Sequence, residues 1–561
     1  MMRSKAAKGD EGRSLAAAAA AGQRRDQALS LQAPLSSLPR RGVKRDPLLL
    51  AIHSLAAPDP LKHNQSARAH EEGLAKAQPP LPPPPREKPT MSPSSLVLVA
   101  NAGSSSLKFK LFEASGGALT ALAGGLLERI GDTANSAMTA SAAASASGGG
   151  EGASASASAS GGASKPTTVT VPIRDHVDGM KRVLDFLAER FPSLGSSTET
   201  AAGTTAATTT TKAGRGASPS AAAASASARL AAVGHRVVHG LDLTQACLVT
   251  PAIKAKIREA AKLAPLHNPA GLAGIEAAEA VFGGRGGVPQ AAVFDTAFHA
   301  ATLPPKEHVY PLPWELYASA EPRVRKYGFH GTSHKYLSLE AGRLLGLERP
   351  ANLVTCHLGN GSSAAAIRRG SSVATTMGLT PLEGLMMGTR SGDLDPAVPL
   401  YLMSFLNKTA GEIDALLNKK SGLLGVCGAS DVRAVLEGAS NGDARCALAL
   451  EMYAHRARKY VGAYYMGVLD GEVDAVVFSA GIGENSPVVR EMVVGGLEKL
   501  GLALDREKNY AAVGSRAIGK GVDISAEGSR VKVLVVPTDE ELMIAREALE
   551  VVEKEAGATG A

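Results

Sequence analysis

Four cysteines, one tryptophan and an aromatic content of 4% are what this 561-residue sequence has least of. The cysteines Cys247, Cys356, Cys427 and Cys446 include no C-x-x-C pair. Neither a zinc site nor a disulfide framework is indicated, and a reducing compartment is the simplest setting. No run of about 18 apolar residues occurs, and the alanine tract at 16–21 is too short and too weakly apolar, so no membrane span is expected. An excess of one charge is also missing from most of the chain. The formal net charge is +7, but residues 1–90 hold 15 Lys and Arg against 8 Asp and Glu, while residues 91–561 balance at 45 against 45. A nucleic-acid partner gains no support from that body.

Residues 1–90 read as disordered, with an alanine run, scattered Arg and Lys, and a stiff proline tract (Pro79, Pro80, Pro82 to Pro85) ahead of Met91. Two readings stand side by side. The Arg-, Ala- and Ser-containing start fits an organelle transit segment, although Asp10, Glu11, Asp26 and Asp46 are acidic residues that such segments avoid. The alternative is a chain whose true start is Met91. The expected protein is soluble and intracellular, in the cytoplasm or, with a transit segment, in a mitochondrion or plastid.

Residues 133–166 and 195–228 are almost all Ala, Ser, Thr and Gly, and read as solvent-exposed insertions unable to offset their ordering entropy. Between them, Val177, Met180, Val183, Leu184 and Leu187 share one face of an amphipathic helix. From about residue 230 the pattern is α/β. Apolar runs at 232–238, 291–294, 352–358, 473–479 and 531–536 alternate with helical stretches, and Thr250-Pro251 and Ser486-Pro487 each read as an N-cap followed by a first helical position. One unit occurs twice. Leu96–Ala100, a small-residue turn from Asn101 and an alternating Leu107–Phe112 match Leu353–Leu358, the turn Gly359-Asn-Gly-Ser-Ser and Ala364–Arg368. The echo points to a duplicated fold with two related halves facing one cleft.

Phosphate chemistry is written into the turns. Gly and Ser between two strands leave backbone N–H groups uncovered; Asn101, Ser104 and Ser106 add polar contacts and Lys108 a positive charge. A plain hairpin serves the same residues equally well, and Walker A spacing is absent. A third turn, Gly481-Ile482-Gly483-Glu484-Asn485, follows a strand and precedes a helix, which suits phosphate or ribose near a helix N-terminus. Arg236 in His235–His239, His330 and His334, and Arg390 in Gly388–Asp393 supply the positive groups that phosphoryl transfer needs around its transferring oxygens. Each of these also has a bland reading, as a surface ion pair or a satisfied core histidine.

Taken together, ten ordered motifs closely resemble the acetokinase family of the sugar kinase, Hsp70 and actin superfamily: Asn101–Phe109, Gly234–Gly240, Ala264–Pro269, Val293–His299, Tyr327–His334, His357–Ser363, Met377–Pro396, Ser430–Arg433, Ala480–Asn485 and Pro537–Ile544. The resemblance runs from Leu96 to about Ala548, outside the two low-complexity segments. It implies ATP + acetate ⇌ ADP + acetyl phosphate by in-line transfer with Mg2+, or with Mn2+ in its place. It implies a duplicated ribonuclease-H-like, actin-like α/β fold, with one domain from 96–296 plus 537–561 and another from 297–536 flanking the cleft, in a homodimer. Carried over by position, Asn101 and Glu540 match the metal sites, and Asp295, His330 and Arg390 the catalytic positions, with Asp295 as proton donor/acceptor. Arg236 matches the carboxylate holder, and Val238, Leu266, Phe329 and Pro381 the acetate pocket. Nucleotide contacts match Ser104, Ser106, Lys108, His357, Leu358, Gly359, Asn360, Gly361, Asp431, Val432, Arg433 and Gly481–Asn485 (Gly481, Ile482, Gly483, Glu484, Asn485). The same groups would serve a propionate or butyrate kinase, and a binding-only relative would need few of them. The chain departs from the family pattern at Leu241, where a second Gly is usual, at Ala374 in place of Asp, and at Asp539 in place of Asn. Pocket shape and metal affinity are the properties these changes touch.

Overall fold

The computed structural model describes residues 95–142, 165–191, 230–283 and 287–559. The N-terminal extension 1–90, the alternative start at Met91, residues 143–164 and the whole segment 195–228 lie outside the described residues. Among the described residues, no helix is long and apolar enough to cross a membrane.

Two mixed sheets organise the described residues. The first contains β1 (Ser95–Gly103), β2 (Ser106–Ser115), β3 (Ala118–Glu128), β4 (Ala137–Ala142), β5 (Thr167–Thr170), β6 (Leu230–Val237), β7 (Cys247–Leu248) and β8 (Gln290–Phe294), in the order β5-β4-β3-β2-β1-β6-β8-β7. The second contains β9 (Leu353–Leu358), β10 (Ser362–Arg368), β11 (Ser371–Thr375), β12 (Ala475–Ser479), β13 (Val522–Asp523) and β14 (Lys532–Val535), in the order β11-β10-β9-β12-β14-β13. Both share one core: three antiparallel strands, then two parallel ones on the far side of the first strand. That core is β3-β2-β1 with β6 and β8 in one sheet, and β11-β10-β9 with β12 and β14 in the other. The repeated strand–turn–strand motif of the sequence is the first hairpin of each half. The duplication is a property of the fold.

Position in the sheets explains the strand signals. β8, β9 and β12 are buried along their whole length, as expected where helices cover both faces, so their sequences are continuous apolar or small runs. Thr250 and Ser486 accept from Ile253 N and Val489 N and start the helices Pro251–Ala260 and Pro487–Val494 as their sequences indicate. The helix His176–Arg190 buries Met180, Val183 and Leu187 against β1 and β2. One expectation needs correction. The segment 133–166 is not an insertion throughout, because Ala137–Ala142 is a strand paired with β3. Its Met138, Ala140 and Ala142 alternate inward, and the ladder satisfies its backbone, so small residues suffice there.

The C-terminal helix Glu540–Thr559 lies against the first sheet, with Ile544 and Ala545 packed among Val97, Val99, Ala232 and Val293. The approach is close enough that a Cβ at Gly234 would stand 2.9 Å from Ile544 Cγ2. Its first turn also reaches the other sheet, where Leu542 and Met543 pack with Leu353 and Val477. Glu540 therefore starts a helix seated at the junction of the two halves.

Candidate functional site

Arg236 is the penultimate residue of β6, and Asp295 follows directly on β8, its parallel neighbour. Adjacent strand ends bring the pair together. Arg236 Nε donates to Asp295 Oδ1 at 3.1 Å and Nη2 to Oδ2 at 2.6 Å, a two-point grip on a carboxylate that is 2% exposed. Glu540 Oε2 stands 4.0 Å from Arg236 Nε. Burial opposes the Arg236 charge, but Asp295 and Glu540 outweigh it and raise its pKa. Burial, helped by Glu540, pushes the Asp295 carboxyl above its ordinary value against the pull of Arg236.

Three consecutive acids start the C-terminal helix, and two are neutralised from β2. Lys108 Nζ pairs with Glu541 at 2.6 Å, and Lys110 Nζ with Asp539 at 2.7 Å. Among the described residues, Glu540 keeps only the long contact to Arg236. The negative charge that Asp539 would add beside a metal is thus balanced by Lys110, and Asp539 Oδ1 also caps the helix by accepting from Leu542 N at 3.0 Å. Asn101 faces Lys108 across the β1–β2 hairpin, whose turn holds Ser104 and whose second strand starts at Ser106.

His330 precedes the helix Gly331–Leu344 in a left-handed conformation (φ 56) and stacks on His357, ring centroids 4.1 Å apart. Ser363 Oγ lies 2.9 Å from His330 Nδ1 and 2.8 Å from His334 Nε2, and His334 Nδ1 meets Thr355 Oγ1 at 2.8 Å. Ser333 Oγ joins His357 Nδ1 to Thr538 Oγ1, at 2.8 Å each. Burial drives His357 down to about 4, and holds His330 well below its usual range with help from His357 and His334. These rings are neutral at pH 7. Arg390 stands beside them: a Cβ on Gly361 would lie 3.6 Å from both Arg390 Nη1 and His330 Nε2. Arg390 is anchored by the Pro381 carbonyl at 3.3 Å and has no carboxylate partner among the described residues.

Val238 and Phe329 share a buried apolar cluster with Met377 and Met387, two residues that the sequence reading did not assign to the pocket. Pro381 is half-buried, whereas Leu266 is 52% exposed and outside that cluster. A separate cavity has a volume of about 580 Å³, a size that suits a small-molecule ligand. Gly359, Asn360, Asp431, Val432, Arg433, Gly481, Ile482 and Asn485 line it, joined by Ser430, Leu436 and Ser486. Ser104, Ser106, Lys108, His357, Leu358, Gly361, Gly483 and Glu484 are not among its lining; Lys108 pairs with Glu541, Leu358 belongs to the core, and Glu484 accepts from Thr538 N at 3.2 Å. The Gly481 turn is itself a short helix, Ala480–Asn485, entered through Ala480 at φ 63. Asp431 caps the next wall of the cavity and is bound by Arg433, which lowers its carboxyl to about 2.

His267 was also missed as a site residue. It lies near enough to Arg390, Arg236 and Asp295 that, after burial, the two guanidiniums lower its pKa and the carboxylate opposes them. Its place between Leu266 and Asn268 in a matched motif was the available signal. Leu241, in place of the family's Gly, adopts φ 54, a conformation that costs a non-glycine residue about 1–2 kcal/mol. Ala374 is fully buried in β11, where a carboxylate would be desolvated.

A family model described as the acetokinase family matches residues 199–546. The acetate kinase of Oleidesulfovibrio alaskensis is 42% identical over 458 residues, 81% of this chain and 99% of that protein. The acetate kinase of Finegoldia magna is 43% identical over 81% of this chain and 99% of its own length. Among solved structures, Porphyromonas gingivalis acetate kinase is 37% identical, with a TM-score of 0.65 over 82% of this chain and 100% of that one. A propionate kinase from Francisella tularensis has the same TM-score and coverage at 35% identity. With a family model over more than half of its length and relatives matched almost end to end, this chain belongs to the acetokinase family.

Proposed function

We propose that this chain transfers a phosphoryl group between ATP and acetate, giving ADP and acetyl phosphate, with Mg2+ as the divalent ion. The observation that carries the reading is the meeting of Arg236, Asp295 and Glu540 at the junction of the two sheets. Acetate needs no base, since a small carboxylic acid with a pKa of about 4–5 is already ionised at pH 7. Asp295 grips Nε and one Nη2 hydrogen of Arg236, which leaves the other guanidinium hydrogens free for the substrate carboxylate. Asp295 is thereby a positioning residue. Arg390 and the neutral His330 flank Gly361 and form the electrostatic wall around the transferring phosphoryl, while the 580 Å³ cavity takes the nucleoside.

The donor set fits Mg2+. Asn101 offers an amide oxygen and Glu540 a carboxylate unpaired with lysine, a sparse oxygen set of the kind Mg2+ accepts alongside water and phosphate. When bound, the ion would neutralise phosphate charge; Mn2+ could replace it on the same oxygens. Closure of domains built on 96–296 plus 537–561 and on 297–536 would exclude water. The helix Ala397–Leu406 exposes Leu400 (68%), Tyr401 (63%) and Phe405 (68%), an apolar face that supports a homodimer.

A hydroxamate assay with acetate, propionate and butyrate tests the substrate. The buried Val238, Phe329, Met377 and Met387 leave chain length to be judged by sterics, at about 1–3 kcal/mol per methylene, so activity should fall from acetate to propionate to butyrate. Equal turnover of butyrate would count against the pocket, a preference for propionate would favour the second reading that the Francisella relative raises, and no acyl phosphate from any acid would overturn the enzyme. Asp295→Asn provides a separate check. It should raise the KM for acetate about tenfold or more by loosening one side of a buried charge pair, and excess Mg2+ should not restore it. Restoration by Mg2+ would move Asp295 to the metal.

A further inference from the structure

Two of the four cysteines meet beside the nucleotide cavity. Cys427 ends the helix Gly422–Cys427; it is half-buried, and its thiol donates to the Leu423 carbonyl at 3.2 Å. Cys446 lies in the first turn of the helix Ala444–Ala463, with its N–H donating to Asp443 Oδ1 at 3.1 Å and its side chain buried. Arg445 Nε donates to the Val426 carbonyl at 2.6 Å, which brings the neighbours of the two cysteines together, and Cys427 packs against the core cluster that contains Cys446. Gly438 makes the room: a Cβ there would stand 2.6 Å from Cys446 Sγ. The other two cysteines are placed elsewhere, Cys356 inside β9 and Cys247 on β7 of the first sheet.

The helix that ends in Cys427 is tied to the site at both ends. Ser421 N donates to the Thr389 carbonyl at 3.0 Å, Leu423 N to Met387 at 2.9 Å and Leu424 N to Gly388 at 3.0 Å, so its first turn carries the run that presents Arg390. Past Cys427 the chain turns at Gly428 (φ 82) into Ser430 and Asp431, which line the cavity. The helix Val432–Ser440 brings Arg433 and Leu436 to that cavity and Gly438 to Cys446.

We propose that Cys427 and Cys446 form a reversible disulfide that weakens nucleotide binding and phosphoryl transfer. An external disulfide is the oxidant. The more exposed Cys427 loses a proton and its thiolate attacks one external sulfur, giving a mixed disulfide and releasing one thiol. The Cys446 thiolate then displaces the second thiol. Two protein thiols become one S–S bond, and the external disulfide becomes two thiols. Burial, then the Cys427 thiol and the Asp443 carboxylate, push the Cys446 thiol up to about 11, so Cys446 acts second. An S–S bond of about 2.05 Å draws the Cys427 end towards the Ala444–Ala463 helix. That movement shifts Met387–Arg390 and Ser430–Asp431 together. In a reducing compartment the pair rests as thiols, and the bond is transient.

The full chain, treated with oxidised glutathione and then with dithiothreitol, tests this. Peptide mapping should find a Cys427–Cys446 cross-link, with binding of a fluorescent ATP analogue and acyl phosphate formation each reduced about tenfold or more, since misplacement near 1 Å can cost about 100-fold. Dithiothreitol should restore both. Cys427→Ser and Cys446→Ser should each keep their activity in the oxidant. A cross-link that leaves both readouts unchanged, or a mixed disulfide on Cys427 that never resolves, would overturn the switch. Redox-sensitive nucleotide binding without acyl phosphate would uphold it while refuting the acetate reading.

Discussion

Arg390→Ala is expected to lower kcat by about 1000-fold while changing the KM for acetate by no more than a few-fold, because removing one preorganised donor from developing charge costs about 100- to 1000-fold. Arg236 and Arg390 are both arginines at the site, but their surroundings differ. Arg236 is held on two nitrogens by Asp295 and lies 4.0 Å from Glu540, so its charge is largely balanced before substrate arrives. Among the described residues, Arg390 has only the Pro381 carbonyl and the Met387 sulfur as partners, and burial lowers its pKa from the usual guanidinium value. A half-buried guanidinium with no carboxylate partner among the described residues, next to His330, is poised for an anion that appears during the reaction. Arg236→Ala should therefore show the opposite split, with the larger change in the KM for acetate. Steady-state kinetics of the two variants, varying acetate at saturating ATP, read both numbers. If Arg390→Ala raised the KM and spared kcat, the assignment of the two arginines would have to be exchanged.

Much of the fold was legible because its central strands leave no polar face. Runs such as 473–479 could be read as strands without knowing their partners, and β12 is indeed buried from Ala475 to Ser479. β4 was hidden by composition, since alanine, serine and threonine mask the alternation of Met138, Ala140 and Ala142. The Asn101–Lys108 turn is a hairpin with Gly103 opposite Ser106, and it brings Lys108 to the C-terminal helix. What no local pattern could reveal was that helix's partners. Lys110 and Asp539 are 429 residues apart, and only the seating of Glu540–Thr559 on β1 and β6 brings them together. Met377, Met387 and His267 were missed for the same reason: their roles depend on packing across distant segments.

Lowering the pH from 7.5 to 4.5 without nucleotide is expected to unfold the protein, chiefly through its buried histidines. His235, His239 and His299 are each 0–1% exposed, and burial holds each near a pKa of about 4. Their partners are built for neutral rings. His235 Nε2 meets Gln290 Oε1 at 2.7 Å; His299 Nε2 donates to the Phe329 carbonyl at 3.0 Å, and its Nδ1 meets Ser372 Oγ at 2.7 Å. His239 Nδ1 accepts from Leu241 N at 3.1 Å, and its ring lies edge-on to Tyr327 and Phe329. In the unfolded chain each ring titrates near 6.5, so between about 6.5 and 4 the unfolded state binds protons that the folded state does not. Stability is therefore unaffected above about 6.5 and falls as the pH drops through that window. Each ring contributes a loss of about 3 kcal/mol, and three together about 10 kcal/mol, comparable with the 5–15 kcal/mol that typically holds a domain. Surface ion-paired carboxylates such as the part-buried Asp178 and the exposed Asp431, lowered to about 2 by Arg174 and Arg433, act only below about pH 4 and are weakened by solvent. Urea unfolding at half-unit pH steps checks the slope, to which these three rings contribute about 4 kcal/mol per pH unit (about three protons) near pH 5, with the buried His330, His334 and His357 adding to it. A midpoint that stayed level from pH 7 to 4.5 would mean that these rings are protonated in the folded protein, and that the cores around β6 and β8 admit water.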